Sequence, residues 1–356
     1  METSTKFSST ELVFVISNSV ISKLFLVYPS AFAALGASAS IILAVFTSII
    51  GLLFTIATIY LYKNKKDDIS HMIGKKIFKI PFVILTIALF TGNQGYFVRS
   101  VAESLKISIL PESPLFFITL IYMIGVLICS HTGLKAIIRA HSFIVPFTLI
   151  MALILLLSSV TNFDYYNIFP IMGNGSQMFM YFLILASYFA DFMLLMFLMP
   201  FASEKATYKK IAIPSFIISS VMLIVIIAIY TLTIPYNTSG SFFIPVYRIS
   251  QYVSYQSFLS RMESIFTIGW MLSYFITSAT YLYVTSMLTG RLFNSKGYRP
   301  YMYAISLVIF GISFIPQNTN QLIEWSNFFA TPRLIIGMLL PLLILLTVKS
   351  REDRQL

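Results

Sequence analysis

Apolar residues fall in long runs along this chain, and short polar segments separate the runs. Most runs are roughly twenty residues long. A helix of about 20 apolar residues spans the hydrocarbon core of a bilayer, which is about 30 Å thick. The pattern therefore predicts about ten transmembrane helices, and their bounds are 12–28, 40–62, 80–98, 115–130, 143–160, 178–201, 213–234, 265–288, 301–315 and 334–348.

The composition agrees with an all-α integral membrane protein. Of the 356 residues, 58% are hydrophobic and only 10% are charged, whereas a soluble domain carries about a quarter of charged residues. The net charge of +11 resides in short Lys and Arg clusters between the apolar runs, without a basic and aromatic face for nucleic acid. We interpret the excess as a topology signal.

The distribution of Lys and Arg predicts the orientation in the membrane. With a cytoplasmic N-terminus, 18 of these residues lie in the inner segments and five in the outer ones. Cytoplasmic loops are enriched in Lys and Arg, so we expect a multi-pass protein with both termini in the cytoplasm. The five residues assigned to the outer side are Arg99, Lys106, Arg248, Arg261 and Arg333.

The spacing of the loops suggests two related halves. The longest connections, 63–79 and 235–263, each follow the second span of a five-span half, and they fall on opposite sides of the membrane. A 5+5 inverted repeat produces this pattern, with substrate bound near the midplane where helices are interrupted. We expect one transmembrane domain made of a first repeat at about 10–160 and a second at about 176–350.

The first span contains polar residues inside an apolar run. Ser17, Asn18 and Ser19 are followed by Ser22 and Lys23. Small polar residues weaken a helix by competing for its backbone hydrogen bonds, so this stretch predicts either a half-helix junction that holds a ligand or a helix–helix contact of small residues. Lys23 is expected to snorkel to the outer surface or to pair with an acid.

The sixth span carries the strongest functional candidate, Asp191, preceded by Ser187 and Tyr188. A carboxylate in a bilayer costs a few kcal/mol and normally faces a cavity, a partner or a proton path. The alternative is a protonated structural acid that is hydrogen-bonded to a neighbouring helix.

Two polar stripes at helical spacing complete the predicted ligand site. We expect them to meet the first and sixth spans at the centre of the bundle, although each residue could instead form an interhelical hydrogen bond. The stripes are Asn93, Tyr96 and Ser100 in the third span, and Ser273, Thr277 and Tyr281 in the eighth.

Other features favour structural roles and argue against an enzyme. At the start of the eighth span, Arg261 and Glu263 predict an interfacial salt bridge, and Trp270 predicts an anchor at the membrane surface. Cys129 is the only cysteine, and phosphate-loop, nucleophile-elbow and metalloprotease motifs are missing from the sequence. We expect no catalytic activity, cofactor or metal.

Several local motifs together resemble the B subunit of spore germinant receptors, the Ger family within the amino acid, polyamine and organocation transporter superfamily. The chain departs from the family after the first span, where Gly36-Ala-Ser-Ala39 replaces a pattern that contains an acid and a Trp. The motifs that carry the resemblance are Gly133-Leu-Lys-Ala-Ile-Ile-Arg139, Phe169-Pro-Ile-Met-Gly-Asn-Gly175, Ala190-Asp191 with Met199-Pro200, Ser260-Arg-Met-Glu-Ser-Ile-Phe266 with Trp270, and Ile315-Pro-Gln-Asn318.

This resemblance implies a LeuT/APC-like fold and a receptor subunit in the spore inner membrane. Such a subunit binds a small germinant, typically a free amino acid, and works with a larger A subunit and a lipoprotein C subunit. The alternatives are a proton- or sodium-coupled amino-acid permease of the same fold, with Asp191 as the coupling acid, and a scaffold that binds no small molecule.

Overall fold

The computed structural model describes residues 6–62, 66–73, 76–254, 262–295 and 297–352. Within these ranges the chain is helical, and the one extended pairing is an isolated bridge between Phe7 and Ala202. The helices are α1 Ser9–Ile21, α2 Tyr28–Gly36, α3 Ser40–Tyr62, α4 Ile69–Met72, α5 Lys76–Ser108, α6 Leu115–His131, α7 Leu134–Ser159, α8 Phe182–Leu185, α9 Phe192–Leu198, α10 Tyr208–Thr233, α11 Tyr236–Ser239, α12 Pro245–Ser254, α13 Met262–Leu292, α14 Arg299–Ser313, α15 Thr319–Leu334 and α16 Leu340–Glu352.

Every predicted span falls on a helical segment, which confirms the all-α membrane fold. Among the described residues, six segments are long and apolar enough to cross a membrane: Tyr28–Tyr62, Ile77–Ser108, Leu134–Asn162, Gly175–Phe201, Tyr208–Thr233 and Thr319–Val348. The other four predicted spans correspond to the interrupted helix α1, the short apolar helix α6, the long helix α13 and the short helix α14.

The first membrane segment is interrupted near its middle. After α1 the chain forms a 3-10 turn, Ser22–Phe25, and residues 26–27 lie in a turn before α2 begins. Pro29 in the first turn of α2 has no N–H to donate to the carbonyl of Phe25, four residues earlier, so the α-helical ladder cannot continue. Two alternatives were open for the polar stretch from Ser17 to Lys23. The chain is α-helical through Ser17–Ser19, where the Ser19 hydroxyl donates to the Val15 carbonyl at 2.9 Å, and the interruption begins at Ser22, near the end of the stretch.

The sixth membrane segment alternates between α-helical and 3-10 geometry. Its 3-10 turns are Gly175–Met180, Ala186–Asp191 and Met199–Phe201, and α8 and α9 lie between them. A 3-10 stretch in the middle of a helix is tighter and less well hydrogen-bonded, and it often marks a functional hinge. The turn Ala186–Asp191 carries all three residues that were predicted for this span.

These two interrupted segments form the centre of the bundle. Every residue of 15–30 and of 185–199 is buried. A helix that is covered on all sides belongs to the core, whereas α3 and α6 expose apolar side chains on their outer faces. Leu53 is 58% exposed and Ile121 is 70% exposed, as expected for surfaces that face lipid.

Four helices begin four or more residues before the apolar runs predicted. They are α5, α7, α10 and α15, whose first turns contain charged or polar residues that lower the local hydropathy. At α15 the side chain of Asn318 caps the helix by accepting from the backbone N–H of Gln321 at 2.9 Å, a standard start signal. Two basic residues that were assigned to the outer side, Arg99 in α5 and Arg333 in α15, are buried in the bundle.

Candidate functional site

A buried ion pair joins the two interrupted segments. Lys23 Nζ lies 2.8 Å from Asp191 Oδ2 and donates to the Tyr188 carbonyl at 3.0 Å. Lys23 is 1% exposed and Asp191 is 9% exposed. Of the two expectations for Lys23, the structure shows the pairing with an acid and not the snorkelling side chain.

Aromatic rings and a second cation surround this pair. Lys23 Nζ lies 5.4 Å from the centre of the Tyr188 ring and 5.9 Å from that of Tyr28. The guanidinium carbon of Arg333 lies 5.7 Å from the centre of the same Tyr28 ring. Cation–π attraction of this kind stabilises a cation that has lost its water, so Tyr28 supports two positive charges at once.

A separate set of hydrogen bonds ties α1 to α13. The Asn18 amide nitrogen donates to the Ser273 carbonyl at 3.0 Å and lies 3.1 Å from the Thr277 hydroxyl oxygen, while the Ser273 hydroxyl donates to the Asn18 amide oxygen at 2.6 Å. These bonds occupy both ends of the Asn18 amide. The geometry thus favours the interhelical interpretation for Asn18, Ser273 and Thr277.

The predicted stripe on α5 faces the interior. Asn93, Tyr96 and Ser100 are all buried, and the Ser100 hydroxyl donates to the Tyr96 carbonyl at 2.9 Å. Tyr96 lies beside Ser326 of α15. This stripe therefore adjoins the helix that carries Arg333.

The other predicted site residues are buried near these groups. Tyr281 of α13 lies beside Asp191 and packs its ring edge-on against Phe90 at 5.0 Å. Ser17 and Ser187 are buried as well, and the Ser17 hydroxyl has no protein partner in the described part of the chain.

The structure tests one of the two predictions made for the start of the eighth span. Arg261 lies outside the described residues, as does the side chain of Glu263, so their salt bridge stays a prediction. Trp270 was expected at the membrane surface, and that expectation is wrong because the residue is 4% exposed. Its ring packs against Tyr274 at 5.8 Å inside the bundle.

Two residues of this centre, Tyr28 and Arg333, were missed by the sequence analysis. Tyr28 was treated as the end of a span, although the following Pro29 signals a new helix start. Arg333 was placed in a loop, although the cap formed by Asn318 signals the start of a helix whose last turn contains Arg333. In both cases the signal was a helix start and not a hydropathy value.

Sequence comparison assigns the chain to a family. The family model described as "Spore germination protein" matches residues 6–322. The chain belongs to this family. It is 25% identical over 272 residues to spore germination protein A2 of Bacillus subtilis, covering 75% of this chain and 72% of that protein, and 24% identical over 292 residues to the putative spore germination protein YfkT of the same organism, covering 80% and 78%.

Solved transporter structures share the fold of this spore germination protein. MhsT, solved in complex with L-phenylalanine, superposes with a TM-score of 0.69 at 11% identity, covering 96% of this chain and 88% of MhsT. Mhp1, a nucleobase-cation-symport-1 family transporter, superposes with a TM-score of 0.66 at 11% identity, covering 99% and 96%. The expected LeuT/APC-like architecture and the resemblance to spore germination proteins are both confirmed.

Proposed function

We propose that this protein is the membrane subunit of a spore germinant receptor and binds a small germinant, a free amino acid, at the junction of its two interrupted segments. The observation that supports this is the Lys23–Asp191 pair, which links the interrupted segments at the centre of a transporter fold. MhsT, with the same fold, was solved with an amino acid. Family membership supports the link to germination.

Binding at this junction can produce a signal without net transport. The ligand would meet the Lys23–Asp191 pair and the turn Ala186–Asp191, and the walls would come from α5 and α13. Since these groups are buried, a ligand reaches them only when the bundle opens. A ligand that binds one of two arrangements more tightly shifts the population toward it, and the change would pass to a receptor A subunit and a lipoprotein C subunit.

The same proposal places the protein in the spore inner membrane with both termini in the cytoplasm. Two of the five basic residues assigned to the outer side, Arg99 and Arg333, are buried in the bundle, whereas none of the described basic residues assigned to the inner side is buried. Among basic residues that are not buried, the excess on the inner side is therefore larger than the sequence analysis assumed, which supports this orientation.

Ligand binding by the purified protein tests the proposal. We expect at least one free L-amino acid to raise the unfolding temperature in a thermal-shift screen, because a ligand that binds the folded state stabilises it. Tyr96→Ala and Tyr281→Phe, the second at a residue beside Asp191, should then weaken binding at least about tenfold. Tyr62→Ala, a buried tyrosine that stacks on Tyr208 away from the centre, is the matched control and should retain affinity. Unchanged affinity in both site variants would remove this site assignment.

A coupled amino-acid permease is the second candidate, and the buried carboxylate of Asp191 favours it. Protonation of Asp191 would break its ion pair with Lys23. Because this pair joins the two interrupted segments, proton binding would be coupled to their rearrangement. Uptake of labelled amino acids into proteoliposomes, abolished in Asp191→Asn, would support the permease. Binding without uptake would support the receptor, as would adjacent genes for A and C subunits.

A further inference from the structure

The charged groups at the centre do not balance. Within the described residues the buried acids are Asp68 and Asp191, and the buried cations are Lys23, Arg99 and Arg333. The remaining ion pairs involve residues nearer to solvent: Asp68 pairs with Arg291, and Arg99 pairs with Glu103 at 2.9 Å.

Asp191 lies in one buried cluster with two cations. It pairs directly with Lys23, and Arg333 is close enough to both Lys23 and Tyr28 to act on them electrostatically. With all three side chains ionised, Lys23, Arg333 and Asp191 together carry one net positive charge. A buried charge without a counter-ion costs several kcal/mol, so the centre is best stabilised by an added anion.

Arg333 has the free donors for that anion. Its Nη2 donates to the Ser326 carbonyl at 3.0 Å. Its Nε and Nη1 are buried and have no acceptor in the part of the chain that the structure describes. The residue is 3% exposed, and one face of the guanidinium lies against Tyr28. The unused N–H groups thus lie inside the bundle and not at its surface.

A carboxylate is the small organic anion that fits these donors. Its two oxygens match the planar fork of a guanidinium, and such charge-assisted hydrogen bonds are about twice as strong as neutral ones. Asp191 already accepts from Lys23, so the centre offers a spare cation and no spare acid. A ligand with an ammonium group and no carboxylate would add to the existing excess of positive charge, whereas an amino acid adds no net charge.

We infer that Arg333 is the specificity-determining residue of the site and binds the carboxylate of the ligand, so that the ligand class is small carboxylates, free amino acids among them, and not amines or amides that lack a carboxylate. This inference rests on the proposed function. It concerns a residue outside 6–322, the part of the chain that the family model matches.

Paired probes test the requirement for a carboxylate on the unmodified protein. The twenty free L-amino acids and their α-carboxamides are compared at equal concentration by thermal shift, followed by titration of every compound that binds. We expect an acid to bind and its amide to bind at least about 30-fold more weakly, the effect of losing one partner of a buried charge pair. An amide that binds as tightly as its acid overturns the inference and leaves the proposed function standing. Absence of binding by all forty compounds overturns the proposed function itself.

A variant locates the carboxylate. Arg333→Gln should reduce the affinity for the acid at least about 30-fold and remove the difference between acid and amide. Arg99→Gln is the matched control, a buried arginine that is paired with Glu103, and it should preserve that difference. An acid preference that survives intact in folded Arg333→Gln would overturn the assignment to Arg333. The comparison on the unmodified protein stands even where a variant does not fold.

Discussion

At the scale of single residues, Asp191 is the one acid in the buried centre that contains Lys23 and Arg333 among the described residues. Asp191 is held by Lys23 and lies beside Tyr281, and Arg333 lies near the same tyrosine. A protein that kept this group only for stability would gain as much from an apolar pair of the same size, because desolvation cancels most of the attraction in a buried ion pair. The presence of two buried cations and one buried acid at this position is better explained by a ligand whose negative charge balances the second cation.

The charge imbalance predicts that replacing Asp191 lowers the unfolding free energy more than replacing Lys23 does. Asp191→Asn leaves Lys23 and Arg333 buried without a counter-ion and should cost about 3–5 kcal/mol of unfolding free energy. Lys23→Met should cost clearly less, because Arg333 remains to neutralise Asp191. Unfolding of the purified protein in detergent measures both losses.

The control for this comparison is Glu112→Gln, an exposed acid between α5 and α6. It should change stability by less than about 0.5 kcal/mol. Equal losses for Asp191→Asn and Lys23→Met would show that Arg333 does not act as the second cation.

At the scale of elements, the turn Ala186–Asp191 depends on close packing against the helix that carries Arg333. A π-helical segment, Ile335–Leu339, joins α15 to α16. A Cβ added at Gly337 in this segment would lie 2.8 Å from the Cβ of Ala190, closer than real side chains approach. The wider π-turn therefore lies directly against the residue before Asp191, so the π-helical segment and the Ala186–Asp191 turn are closely packed.

Gly337→Ala should consequently be destabilising. Either the π-segment or the Ala186–Asp191 turn has to shift, and overpacking of this kind costs about 1–3 kcal/mol. Gly311→Ala is the matched control, since nothing lies within 4 Å of a Cβ at that position. There alanine should be neutral or stabilising by up to about 1 kcal/mol, because it favours the helix. A similar result for both variants in thermal unfolding would contradict the packing argument.

The same elements show what the sequence could predict and what it could not. The second span, 40–62, coincides with α3, because its polar residues are few and its ends are marked by polar segments. The start of α15 was missed because hydropathy averages over residues whereas a cap acts through one side chain, Asn318. Ser17 to Ser19 did not break α1, because the hydroxyl of Ser19 can bond to a carbonyl of its own helix. Pro29 broke the helix by removing a donor.

At the scale of the whole molecule, the sequence predicted the architecture better than the site. Long apolar runs and two long connections are properties of many residues together, so the count of spans and the transporter-like fold followed from them. The site depends on which side chains meet across helices, and spacing along one helix does not determine that. Asp191 and Lys23 could be selected one by one, yet only the folded chain shows them in contact. The division into repeats at about 10–160 and 176–350 stays a prediction.

The orientation in the membrane is a property of the whole chain that labelling of single cysteines can test. Cys129→Ser gives a cysteine-free background, into which Glu112→Cys and Ser295→Cys are introduced separately. Both positions are exposed, the first between α5 and α6 and the second between α13 and α14. With cytoplasmic termini, the first connection follows three crossings and lies outside, whereas the second follows eight and lies inside. A membrane-impermeant maleimide should label Glu112→Cys in intact cells and Ser295→Cys only after permeabilisation. The reverse pattern would invert the topology, and labelling of both from outside would mean that the number of crossings between them is even and not odd.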